Sequence, residues 1–108
     1  MTQFDNREKA FEAKFAHDQE LAFKVMARRN KLLGLWAAGE LGLTGDAAND
    51  YALQVIKADF LDAGDEDVFR KVKADLDAKQ VDVTEHRIRK EMEDLMTEAK
   101  RQLMEELS

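Results

Sequence analysis

The 108-residue chain has no cysteine, no proline and a single serine, Ser108. Without cysteine there can be no disulfide, no thiolate metal ligand and no cysteine nucleophile, a usage that fits a reducing compartment. Serine–histidine catalysis has little to draw on either, since the histidines are only His17 and His86. Gly39, Gly42 and Gly45 are not followed by Gly-Lys-Ser/Thr, so no nucleotide-binding loop is present. No apolar run approaches the ~18 residues that a membrane span needs. The opening MTQFDNREKAF is too densely charged for a signal peptide. The expectation is a cytosolic protein without membrane insertion, or one attached to something that faces the cytosol.

What is present points to helices. The residues are 44% apolar and 37% charged, and the length suits one small domain. From Phe4 to Leu33 there is no glycine or proline. Within that span Phe4, Phe11, Phe15, Ala22, Met26 and Leu33 fall near one helical face. Thirty helical residues would span about 45 Å, longer than the other helical segments can cover. Part of this stripe is therefore expected to lack an intramolecular partner and to serve one elsewhere. Residues 1–31 carry seven Lys/Arg against five Asp/Glu, a net of +2 that leaves −8 of the chain's −6 total on the rest. So acidic a body argues against general nucleic-acid binding.

His17-Asp18-Gln19-Glu20 interrupts the stripe, and Asp18 is placed to cap a new helix. The chain accordingly divides into an arm, residues 1–17, and a body, residues 18–108. In the body, Ala22, Met26, Leu33 and Trp36, widened by Val25, Leu32 and Leu35, give a first helix to about Leu41. Gly34 and Gly39 would weaken its end, and Gly42-Leu43-Thr44-Gly45 reads as a turn with Thr44 as a cap. A second helix is expected over about Asp46–Asp62, stopped by Gly64, with Asp65 capping a third over about Glu66–Lys79. Thr84 caps a fourth that buries Ile88, Met92, Leu95, Ala99 and Leu103. The fold class is all-α: a four-helix bundle with a mobile or extended helical arm.

Chemistry is sparse. His17-x-x-Glu20 is a weak metal pair, and the Glu-x-x-His motif of di-metal bundles is missing at both histidines. The acidic residues read as solvated helix faces paired at three or four residues. Two basic groups, Arg28-Arg29-Asn30-Lys31 and Arg70-Lys71-x-Lys73, could meet phosphate. The arm is the richest candidate: Phe4, Phe11 and Phe15 would place three aromatic anchors on one face, worth about 5–9 kcal/mol gross if all are buried in a partner.

The stretches FDNREKAFEAKFAHDQE, ARRNKLLGLWAAGELG, KADFLDAG-x-EDVFRKVKADLDAK and VDVTEHRIR resemble the ATP synthase inhibitor zeta-subunit family of alphaproteobacteria across essentially the whole chain. The resemblance implies a non-enzymatic four-helix bundle, monomeric when free. It would bind the catalytic head of the F-type ATP synthase and block ATP hydrolysis. Its inhibitory element would be the mobile N-terminal segment, entering the interface between α and β subunits near the γ shaft. Phe4, Arg7, Phe11, Lys14 and Phe15 are then the partner-binding residues. The family is also associated with ADP or ATP as a regulatory ligand, for which Arg28, Arg29 and Lys31 are candidates. The protein would sit in the cytoplasm, peripheral to the inner membrane through the synthase. An adenine-nucleotide-sensing bundle and an adaptor for another protein partner remain as alternatives.

Overall fold

The computed structural model describes residues 2–59 and 65–107, apart from the side chains of residues 2–5. These form α1 (Thr2–His17), α2 (Gln19–Glu40), α3 (Gly45–Ala58), α4 (Asp65–Ala78) and α5 (Glu85–Glu106), with no strand among the described residues. The ends follow local chemistry. Asp18 is extended (φ −105°, ψ 105°) and its carboxylate accepts from the Glu20 and Leu21 amides, which starts α2. Thr84 starts α5 in the same way through the Arg87 amide. Thr44 precedes α3 without a side-chain cap bond. Helix α2 closes on Gly42 in the left-handed region (φ 81°), where the Leu43 amide reaches back to the Ala38 carbonyl at 2.8 Å. Gln80 takes the same left-handed position after α4 (φ 61°). The expected stop at Gly64, and the end of the second helix at Phe60–Asp62, lie outside the described residues. Asp65 is the first residue of α4 rather than its cap, and its carboxylate is bound by Arg29 instead.

Helix α2 is the hub, packing against each of the other four. One core joins α2 to α5: Leu33, Ala37 and Ala38 meet Tyr51 and Val55 of α3, Val68, Val72 and Leu76 of α4, and Ile88 and Met92 of α5. Val68, Phe69, Val72 and Leu76 of α4 are buried at helical spacing, and in α5 Ile88, Met92, Ala99 and Leu103 are buried as expected while Leu95 is only half-buried. On α2 the buried face is rotated in part from the expected one, which included Val25 and Leu33 but neither Leu21 nor Ala37. Leu21, Val25, Leu33 and Ala37 are inside, whereas Ala22, Met26, Leu32, Leu35 and Trp36 are half-buried. The rotation has a cause. Glycine and alanine allow two helix backbones to approach, and α2 spends its small residues on that contact. A Cβ on Gly34 would stand 2.5 Å from Ala52 Cα and 3.3 Å from Val55 Cβ. Gly34 is therefore the contact point of α2 and α3, not the weak spot that its low helix propensity implies.

Trp36 rests at the rim, with the Arg87 guanidinium 5.6 Å from its ring centroid. Tyr51 is buried and its hydroxyl donates to Asp75 Oδ2 at 2.8 Å. Burial, then this bond, push the phenol pKa up, so the group stays a proton donor.

Gly34→Ala should therefore cost about 2–3 kcal/mol or more, because the clash is with backbone and not with a flexible side-chain end. Urea melts that show no loss, or a gain as in an ordinary helix Gly→Ala change, would contradict the close crossing.

Acid should loosen the fold from its edges. Hydrogen bonds from Arg101 and Gln102 hold the Glu98 carboxyl down at about 2, below its usual 4.5. Arg28 lowers Glu106, and Arg89 lowers Glu66. Each is depressed in the folded state, so its stabilisation is present above the ordinary carboxylate range and is lost as pH falls through the folded-state value, which for Glu98 is about 2. Asp59 works in the opposite sense, because burial raises its carboxyl. Helical melts should hold from neutral pH to about 5 and then shift downward through this window. A midpoint that stays level to pH 2 would show these pairs to be idle.

Candidate functional site

A second, smaller cluster lies at the other end of α2. Phe11 of α1, 9% exposed, packs with Leu21, Val25, Ala99 and Leu103, and Phe15, Leu32, Met96 and Met104 flank it. The stripe on the arm thus has an intramolecular partner, against the expectation from helix length. The reason is Asp18: its extended backbone breaks the long helix, so α1 turns onto α2 and α5 rather than running past them. Burying one phenylalanine stabilises such a contact by about 1.5–3 kcal/mol.

Polar contacts reinforce the seat. Lys100 Nζ pairs with Glu12 Oε1 at 3.3 Å and stands 4.4 Å from the Phe15 ring centroid. Arg7 Nη2 donates to the Met104 carbonyl at 3.4 Å, in the last turn of α5, where carbonyls lack helical partners and a cation opposes the dipole favourably. A cavity of about 310 Å³ between the helices is lined by Glu8, Phe11, Glu12, Thr97, Lys100 and Met104 among others. Of the five partner-binding candidates, Phe11 is buried, Phe15 half-buried, and Arg7 and Lys14 exposed. The Phe4 side chain lies outside the described ones.

The basic candidates are not brought together. Consecutive helical residues diverge by about 100°, and Arg28, Arg29 and Lys31 do so here. Arg28 forks onto Glu106 (2.7 and 3.0 Å) and reaches Gln102 at 2.7 Å. Its own pKa rises with these bonds. Arg29, 1% exposed, donates Nε to Asn30 Oδ1 at 2.8 Å and Nη2 to Asp65 Oδ1 at 2.7 Å. Lys31 is exposed. In the other group Arg70 pairs with Asp67, Lys71 with Asp75, and Lys73 with Asp77. Instead Arg29 and Arg89 line a cavity of about 390 Å³ with Asp65, Met92, Glu93, Met96 and Thr97. Arg89 is held by Glu66 and Glu85 and lies 3.9 Å from the Phe69 ring. Sequence reasoning missed this juxtaposition, because residues 29, 65 and 89 share no local pattern. No group of three or more acidic or histidine side chains is placed to hold a metal among the described residues. None of their helices is long and apolar enough to cross a membrane.

Among the described residues these features define an all-helical protein whose N-terminal helix meets the rest of the chain through its own smaller cluster. Residues 1–102 match the family described as ATPase inhibitor subunit zeta, and the chain belongs to that family, a group of ATPase inhibitors. The fold is similar to that of a protein solved by solution NMR. The two are 57% identical, with a TM-score of 0.70 over 78% of this chain and 95% of that one. No curated protein matches the chain.

Phe11→Ala should unseat α1 without melting the core. The lost burial, about 1.5–3 kcal/mol, exceeds the ~0–1 kcal/mol of an exposed ion pair such as Glu12–Lys100. Amides of residues 2–17 should lose exchange protection while the transition of α2–α5 moves by less than about 1 kcal/mol. Equal loss in α2–α5 would show α1 to be part of one cooperative core.

Proposed function

We propose that the chain inhibits ATP hydrolysis by an F-type ATP synthase by inserting α1 at an interface between catalytic α and β subunits, near the γ shaft. The observation that supports this is the separateness of α1. It is amphipathic, is parted from α2 by a one-residue break at Asp18, and contributes Phe11 to a cluster distinct from the main core. A rotary enzyme must open and close each catalytic interface in turn. A helix that binds one of those conformations stalls the cycle by as much as it prefers that conformation. The remaining helices, α2–α5, act as a bundle outside the interface that keeps α1 at high local concentration. The protein would then lie in the cytoplasm, peripheral to the membrane through the enzyme, as a non-catalytic monomer until it binds.

An adenine nucleotide as regulatory ligand is a second reading, favoured by the cavity beside Arg29 and Arg89. Two guanidiniums face it, and phosphate is their natural counter-ion once the carboxylates now bound to them yield.

The deciding measurement is ATP hydrolysis titrated with the full chain, with a chain lacking residues 1–17, and with Phe11→Ala/Phe15→Ala. The truncated chain should lose inhibition by about two decades or more in concentration, and the double variant by about one, chiefly through Phe15. Substitution of the exposed Glu85 should leave inhibition intact. Full inhibition by the truncated chain would refute insertion. An intact chain that inhibits nothing would leave the adaptor reading.

A further inference from the structure

Helix α5 runs antiparallel to α2: Arg28 meets Glu106 near one end, and Trp36 meets Arg87 near the other. The second end lies away from α1 and plays no part in the reading above. There Trp36, Glu40, Asp82, Val83, Thr84 and Arg87 line a cavity of about 290 Å³ between the end of α2 and the start of α5. We propose that this cavity is a docking seat for one cationic side chain, arginine or lysine, of a protein partner. The proposal is independent of where α1 binds.

Charge sets the sign of the occupant. Glu40 and Asp82 are exposed and form no ion pair among the described residues, whereas Asp67, Asp75, Asp77 and Glu91 of α4 and α5 each hold a cation. Arg87 is the single opposite charge in the lining, and Glu91 already takes it at 3.3 Å. Lys73 reaches the Val83 carbonyl from α4 but is paired with Asp77. The two helix ends oppose each other, since α2 finishes at Glu40 and α5 starts at Glu85, so the side chains decide. The ring gives the seat its shape. Trp36 is half-buried, and the Arg87 guanidinium lies 5.6 Å from its centroid, so the chain already uses this face to hold a cation. Pockets for whole small ligands run from about 300 to 1,000 Å³, and this smaller one suits a single side chain. Half-buried Leu41, Leu43 and Val81 border the same end of the core and offer apolar cover for the residues beside the cation. An aromatic ring facing a guanidinium inside an apolar border is the usual make-up of an interface hot spot. Arg87 is then a stand-in, which an incoming cation displaces from the ring towards Glu91.

Trp36 is the only tryptophan, so its fluorescence reports on the seat directly. The full chain is titrated at fixed ionic strength with a blocked leucine–arginine–leucine peptide and with its citrulline counterpart, in which a neutral ureido group replaces the guanidinium. The arginine peptide should shift the Trp36 emission at millimolar concentration and the citrulline peptide should bind at least about threefold more weakly. Glu40→Gln/Asp82→Asn should weaken the arginine peptide by about three- to tenfold. Arg87→Ala should strengthen it by about two- to fivefold, because the internal competitor for the ring is gone. Arg101→Ala removes the same charge about 21 Å farther along α5, at about 1.5 Å per residue, and should change nothing. All these positions are exposed, and unchanged helical melts confirm that each variant is folded. No response to the arginine peptide, or equal binding of the two peptides, would overturn the proposal. So would undiminished binding by the double variant, or an equal gain from Arg87→Ala and Arg101→Ala, which would reduce the effect to net charge. A Trp36 shift with inorganic phosphate in place of the peptide would overturn it in favour of an anion seat at Arg87.

Discussion

The close crossing of α2 and α3 at Gly34 and Ala52 is the contact on which the other helices depend. It brings two backbones nearly into touch, which only glycine and alanine permit, and it leaves α2 free to be buried on its other sides by α4 and α5. A single helix can then serve as the wall of one core over Leu33–Ala38 and of another over Leu21–Val25. Between these stretches sit Arg29 and Asn30, both 1% exposed. Asp67 Oδ2 finds no hydrogen-bond partner among the described residues. The layer is costly, since a buried charge must be paired to be tolerated. What it gains is separation. The Arg29–Asp65 pair fastens α2 to α4 at 2.7 Å, and it stands where an apolar residue would have fused the two clusters.

That separation bears on the proposed insertion, for which α1 would have to leave α2 and α5 while the other helices kept their shape. If Phe11 and Leu33 shared one core, withdrawing α1 would leave a cavity in the main core, at several kcal/mol for a lost aromatic. With the polar layer between them, the loss is confined to a shallow seat made by α2 and the last turns of α5. It also revises the driving force for binding. Three free phenylalanines would bring about 5–9 kcal/mol to a partner's groove, but Phe11 is already out of water. Its transfer from one groove to another gains little, so net affinity must come from Phe15, which is half-exposed, and from better polar matching.

Much of this was legible in the residues, and what was not has physical causes. The break at Asp18 and the starts of α2 and α5 are written in short-range capping chemistry. The buried sets of α4 and α5, Leu95 apart, follow from helical spacing, because each of these helices has one buried side. Helix α2 defeated the same reading. A helix packed on several sides has no single apolar face, and its small residues carry a message about distance, not hydrophobicity. The apolar stripe was legible but its occupant was not: the expected overhang required one helix from Phe4 to Leu33, whereas the break at Asp18 leaves a 16-residue α1 that folds back onto α2 and α5. Arg28, Arg29 and Lys31 were grouped by their order in the chain, and a helix scatters such neighbours. Glu106, Asp65 and solvent take one each.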